Sequence, residues 1–146
     1  QAAVGCAQLK KFPSFVERRI HNFNYLKEAL KGTEDKLILP KACENSRPSW
    51  FGFLITCREG VDRNQIVQMI EAKGVQTRML FAGNLTKHPC FDQMRATGKG
   101  YRIAGTLENT DRIMKDTFWI GVYPGMTDEM LEAMANAIKD AVNGVK

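Results

Sequence analysis

A chain of 146 residues, 44% hydrophobic and 25% charged, has the length and composition of one globular domain with its own core. No apolar run is long enough to span a bilayer, and Gln1-Ala-Ala-Val-Gly5 has neither the basic start nor the apolar stretch of a signal segment. The net charge of +5 is spread without blocks of like sign, which points to neither a nucleic-acid face nor a membrane and would suit a small phosphate-bearing ligand. The absence of an initiator Met, with what reads as helix interior at residue 1, is expected of a fragment of a longer protein.

Small residues over 2–9 form a helical segment, which Lys10-Lys11-Phe12-Pro13 is expected to interrupt. Pro13 fits the first turn of a second helix, where its missing N–H costs nothing. Phe12, Val16, Ile20, Phe23, Leu26 and Leu30 then recur every three or four residues, one apolar stripe running to about Lys31, with Gly32 as its stop. This helix reads as a connector that packs on the domain and leads into it from another. The short apolar run 37–40 ends in Pro40 and suits an edge strand. Residues 50–57 are apolar on both faces, as in a central strand; alternation groups Phe51 with Phe53 and Ile55, and Trp50 with Gly52 and Leu54. Asp62 is placed to cap a helix over 63–73 with Ile66, Met69 and Ile70 inward, ended by Gly74.

The next strand starts at Val75, with Gln76, Arg78 and Leu80 on one side and Val75, Thr77 and Met79 on the other. Strand, helix and strand at this spacing permit a right-handed crossover unit. Gly83-Asn84 breaks the strand, since both tolerate a positive φ, and Asn84, Thr86, Lys87 and His88 follow before Pro89. A polar loop at a strand end is a common place for a ligand, but by composition alone a solvated turn is the preferred reading. Beyond it come a short helix and glycine-rich turn over 91–100, a strand or extended stretch over 101–107, and a short helix through Met114 capped by Asn109-Thr110-Asp111. A strand over 117–123 follows. Thr127 caps a final helix whose stripe is Met130, Leu131, Met134, Ile138, Ala141 and Val142. The fold class is two-layer α+β: a three- to four-stranded sheet with helices mainly on one side and a long N-terminal connector helix.

The residues carry little chemistry of their own. Cys6, Cys43, Cys57 and Cys90 are widely spaced with no Cys-x-x-Cys, unlike zinc or iron–sulfur ligands, and read as reduced, mostly buried thiols of a cytoplasmic protein. There is no glycine-rich phosphate loop, no Gly-x-Ser-x-Gly elbow and no carboxylate pair. His21 reads as a surface residue, and His88 as a loop residue able to meet a phosphate or an acid group.

Three motifs carry a resemblance. Ala2-Ala-Val-Gly-x-Ala-Gln-Leu9 before a long helix, Thr77-Arg78 before a loop, and Val122-Tyr-Pro-Gly-Met-Thr-Asp-Glu129 are together similar to the DegT/DnrJ/EryC1/StrS nucleotide-sugar aminotransferase family. The resemblance implies the C-terminal small domain of a pyridoxal-phosphate fold-type-I protein. Residues 1–31 would be the connector from a cofactor domain and 32–146 the small α+β domain. Two departures from the aminotransferase pattern narrow it. Gly83-Asn84 follows Arg78 where aminotransferases have a Pro-Leu-His type loop, and Phe51 stands where many carry histidine. With the block 109–121, these resemble the CDP-4-keto-6-deoxyglucose 3-dehydrases of lipopolysaccharide sugar synthesis.

That resemblance implies pyridoxamine phosphate chemistry on a nucleotide-linked 4-keto-6-deoxy sugar, with loss of the 3-hydroxyl, a [2Fe–2S] cluster, a separate NADH-dependent reductase and a homodimer. It places the histidine base, the cluster cysteines and the phosphate-binding groups in the other domain, so no catalytic, cofactor or metal residue is expected here. Phe51, Arg78, Phe81, Gly83 and Asn84 would form one wall of the sugar site. Arg78 would equally serve a domain-interface ion pair, Phe81 the core, and Asn84 the turn. A small domain of a true aminotransferase, or a non-catalytic binding module, are the alternatives.

Overall fold

The computed structural model describes residues 1–145. A four-stranded sheet of β1 (Leu37–Ile38), β2 (Gly52–Cys57), β3 (Thr77–Met79) and β4 (Thr117–Gly121) is ordered β1-β2-β4-β3, and every neighbouring pair is antiparallel. Two strands flanking a common antiparallel neighbour run the same way. β2 and β3, joined by α2 (Arg63–Ala72), are therefore parallel but do not pair, because β4 arrives from late in the chain and lies between them. The expected crossover unit is thus a split one. The short 37–38 edge strand and the interior place of β2 agree with expectation.

One face of the sheet is closed. Phe53 and Ile55 of β2 stand opposite Ile120 and Phe118 of β4, and all four are 0% exposed. Over them lie Leu26 and Leu30 from the end of α1 (Ala2–Ala29), Ile66 and Ile70 of α2, and Leu131, Ile138 and Ala141 of α5 (Asp128–Gly144). The fold is two-layer α+β, as the sequence predicts. Both caps form where expected: Asp62 accepts from the Asn64 and Gln65 amides at 2.8 and 3.4 Å, and Thr127 Oγ1 from the Met130 amide at 3.3 Å.

Several expectations are corrected. No break occurs at residues 10–13: α1 is continuous, with Pro13 inside it. Residues 1–15 are all exposed, so the Leu9 carbonyl deprived of the Pro13 N–H lies where water can serve it. For the same reason Phe12 stays outside the buried stripe, which begins around Asn22 and Phe23. After a short α3 (Asp92–Thr97), helix α4 (Glu108–Asp116) starts before the expected cap, from Leu107 at φ 57°, and Asn109, Thr110 and Asp111 lie within its first turns. In α5 the buried stripe is Leu131, Ala135, Ile138, Ala141 and Val142; Met130 is exposed and Met134 half-buried. Its alanines let the helix lie close on its neighbours. Of the four free thiols only Cys57 is buried, because only it lies on the covered face of a strand. Burial, and next the nearby Asp116 carboxylate, push its thiol up to about 11. Among the described residues no helix is long and apolar enough to cross a membrane.

Candidate functional site

The other face of the same strands is not closed by the three core helices. Leu54, Trp119 and Arg78 are register partners across β2, β4 and β3, so they share this face. Strict alternation would keep Phe51 with the core. A bend at Phe51 cancels that alternation, while its carbonyl still accepts from the Val122 amide at 2.7 Å. Trp50 turns to the core instead, its ring 4.5 Å from that of Phe23, which is 4.8 Å from Phe53. Phe51 is 59% exposed and meets Trp119 edge to face, at 5.5 Å and 88°. The expected grouping of Phe51 with Phe53 and Ile55 is corrected accordingly.

A cavity of about 430 Å³ opens here, lined by Phe51, Leu54, Leu80, Phe81 and Trp119 with Lys41, and bordered also by Trp50 and Phe23. Phe81 is 76% exposed and holds φ 50°, an uncommon backbone for so bulky a residue, closed by its amide donating to the Met79 carbonyl at 2.8 Å. Behind Trp119 a second cavity of about 490 Å³ is lined by Gln76, Arg78, Tyr123, Met130 and Met134. Arg78 is exposed and has no carboxylate partner among the described residues. The structure therefore brings Phe51 and Phe81 into one cavity and sets Arg78 on the far side of Trp119. Sequence reasoning missed Trp119. The signal was alternation within 117–123, which opposes it to Phe118 and Ile120.

Gly83 and Asn84 do not line either cavity. Gly83 holds φ 61°, and a Cβ there would lie 2.6 Å from Met114 Cγ, so the turn packs directly on α4. Asn84 is 3% exposed and its amide is engaged at both ends: Nδ2 donates to Asp111 Oδ1 at 2.6 Å, and Oδ1 accepts from the Thr86 amide and hydroxyl at 3.0 and 2.6 Å. Lys87 Nζ adds an ion pair to Asp111 Oδ2 at 2.9 Å. Lys87 first and Asn84 second hold the Asp111 carboxyl below its usual range. His88 Nε2 bonds the Ala82 carbonyl at 2.6 Å. Of the two roles open to Asn84, the geometry here is that of holding the turn.

These cavities do not fit pyridoxal or pyridoxamine phosphate by themselves. The first is lined almost wholly by apolar side chains; the second has two cations, but Lys73 is already paired with Asp140, which leaves Arg78, and the helix start beside it, that of α5, is already capped by Thr127. Among the described residues no three His, Cys, Asp or Glu gather as a metal site. No step through a cofactor or a cluster is derived from this chain's residues.

The profile of the DegT/DnrJ/EryC1/StrS aminotransferase family matches residues 1–139. The chain belongs to that family. It is 47% identical over 142 residues to the lipopolysaccharide biosynthesis protein RfbH of Salmonella typhimurium. It is 43% identical over 144 residues to the dTDP-4-dehydro-2,6-dideoxy-D-glucose 3-dehydratase of Saccharopolyspora spinosa. These matches cover 96% and 97% of this chain but 31% and 30% of those proteins, so the chain spans about a third of the length of the curated relatives it matches. Among solved structures, a variant of GDP-4-keto-6-deoxymannose-3-dehydratase (ColD) with bound GDP-perosamine matches with a TM-score of 0.77 at 25% identity, over 93% of this chain and 34% of that one. DesV of S. venezuelae matches with a TM-score of 0.81 over 100% of this chain and 37% of that one, but at 18% identity, which speaks for the fold alone. The family's fold and the α+β architecture agree, including the N-terminal helix.

Proposed function

We propose that this chain is the C-terminal small domain of a pyridoxamine-phosphate-dependent nucleotide-sugar 3-dehydrase of the cytoplasm, acting on a CDP-4-keto-6-deoxyhexose in deoxysugar and lipopolysaccharide synthesis. Residues 1–31 are its connector from a cofactor domain, and 32–146 the domain proper. The observation that carries the reading is 43% identity to a named 3-dehydratase across 97% of the chain. The 47% identity to a lipopolysaccharide biosynthesis protein supports it.

The cofactor supplies the electron sink that lets the 3-hydroxyl leave, and it is held, with the [2Fe–2S] cluster, by residues outside this chain. The open sheet face is this chain's part. Phe51 and Phe81 exclude water from one side of the sugar and offer no proton acceptor there, where an imidazole would. Arg78, exposed on the same face and without a carboxylate partner among the described residues, meets an anionic group of the ligand or a carboxylate across the domain interface. Gly83 and Asn84 hold the turn that follows β3. A homodimer and a separate NADH-dependent reductase complete the system.

The test is made with the full-length gene product, pyridoxamine phosphate and CDP-4-keto-6-deoxyglucose. The expected result is loss of one water from the sugar by mass spectrometry, and a 3-deoxy product once reductase and NADH are added. Formation of an amino sugar from glutamate, with the 3-hydroxyl retained, would make the protein an aminotransferase and end the reading. The 146-residue chain alone is expected to be inactive.

A further inference from the structure

Trp119 lies at the middle of the open face, on the central pairing of β2 and β3 with β4, and it lines both cavities. Its ring is held from three directions. The indole N–H donates to the Met79 carbonyl on β3 at 3.1 Å. The ring of Phe51 meets it at 88° from the β2 side. Gly52 lies beneath it: a Cβ at Gly52 would sit 2.6, 3.2 and 3.3 Å from three carbons of the indole, so only glycine lets the ring lie there. A half-buried tryptophan on an uncovered face has several rotamers open to it; these three contacts hold the one observed. Phe51, by contrast, is more than half exposed, and among the described residues Trp119 is the one ring that pairs with it.

We propose that Trp119 is the positioning residue of the sugar wall: anchored on Met79 and seated over Gly52, it sets where Phe51 stands and how far Phe51 and Phe81 lie from Arg78. The inference rests on the sugar-wall reading above and adds to it a residue that acts through Phe51. Trp119→Phe keeps an apolar ring but loses the bond to Met79. Gly52→Ala leaves the indole in place chemically but pushes it off its seat.

The test is a double-mutant cycle on kcat and KM for the nucleotide sugar, in the full-length protein, with pyridoxamine phosphate binding followed by absorbance. Loss of the Met79 anchor frees the ring on which Phe51 rests, so Trp119→Phe is expected to raise KM about three- to tenfold, with kcat and cofactor binding held. Gly52→Ala is expected to do the same. In a Phe51→Ala background either change is expected to add less than about twofold, because the residue through which it acts is gone. Effects that multiply in the double variants would make Trp119 an independent contact or a general stabiliser and overturn the proposal, as would a Trp119→Phe protein with unchanged KM. If Trp119→Phe does not fold, the Gly52→Ala cycle decides alone. A wild-type protein that fails to dehydrate the sugar removes the underlying reading as well, whereas an active wild type with multiplying effects removes this inference only.

Discussion

The two faces of the sheet each carry large apolar side chains, and those side chains have opposite fates. In β4, Phe118 and Ile120 are 0% exposed, while Trp119 between them stays in reach of solvent. In β2, Phe53 and Ile55 are sealed, while Leu54 lines an open cavity. The difference lies in where three helices return. α1, α2 and α5 all come back over one side, and each apolar residue beneath them gains the full transfer free energy of burial, roughly 1.5–3 kcal/mol. The opposite side is free to carry rings whose value lies in what they later touch. On that side the apolar rings lie beside Arg78, which has no carboxylate partner among the described residues.

The sharpest way to break this comparison is to truncate one ring on each face. Phe53→Ala is expected to lower stability by about 3–5 kcal/mol, through lost transfer energy and the cavity left among Phe23, Ile120 and the helices. Phe51→Ala, two residues earlier, is expected to cost less than about 1 kcal/mol in stability. Denaturant melts of the two proteins should differ accordingly; equal losses would mean that the open face is as much core as the covered one.

A smaller effect tests the turn behind the open face. Asn84→Ala removes the acceptor for Thr86 and the donor to Asp111, and is expected to cost about 1–3 kcal/mol, because the Thr86 amide is left part-buried without a partner. A melt unchanged from wild type would release Asn84 from the structural role its contacts give it.

The smallest effect near neutrality belongs to Cys57. Its folded thiol pKa is raised to about 11, chiefly by burial, so the folded state holds the proton more tightly than the unfolded one. Its contribution is fully present at neutral pH. It is lost progressively as pH rises from the unfolded value toward the folded one. The stability of wild type, relative to Cys57→Ala, is expected to fall between about pH 9 and pH 11 and to be flat below. Parallel pH profiles for the two proteins would show that the thiol does not ionise on unfolding.

Much of the architecture was legible in the residues because its causes are local. Asp62 and Thr127 cap helices through amides two or three residues away, and the edge role of 37–38 follows from an apolar pair followed by Pro40. The resemblance carried by the motifs at 2–9, 77–78 and 122–129 also held, since the family profile spans residues 1–139. The candidate site was legible only in part. Phe51 and Phe81 do share a cavity, but Asn84 is tied to Asp111, which lies 27 residues further on.

Sequence by itself determined which segments become helix or strand, where most of them stop, and which apolar residues are available for a core. Those choices depend on φ preferences, capping groups and periodicity within a few residues. Tertiary structure alone decided the insertion of β4 between β2 and β3, the unbroken passage of α1 through Pro13, and the exchange of faces between Trp50 and Phe51. Each depends on groups far apart in the chain. A strand chooses its neighbours by the register that buries both partners, and a proline is tolerated where water can replace the lost bond. A bend at one residue can move a ring from the core to the open face with no change in local preference.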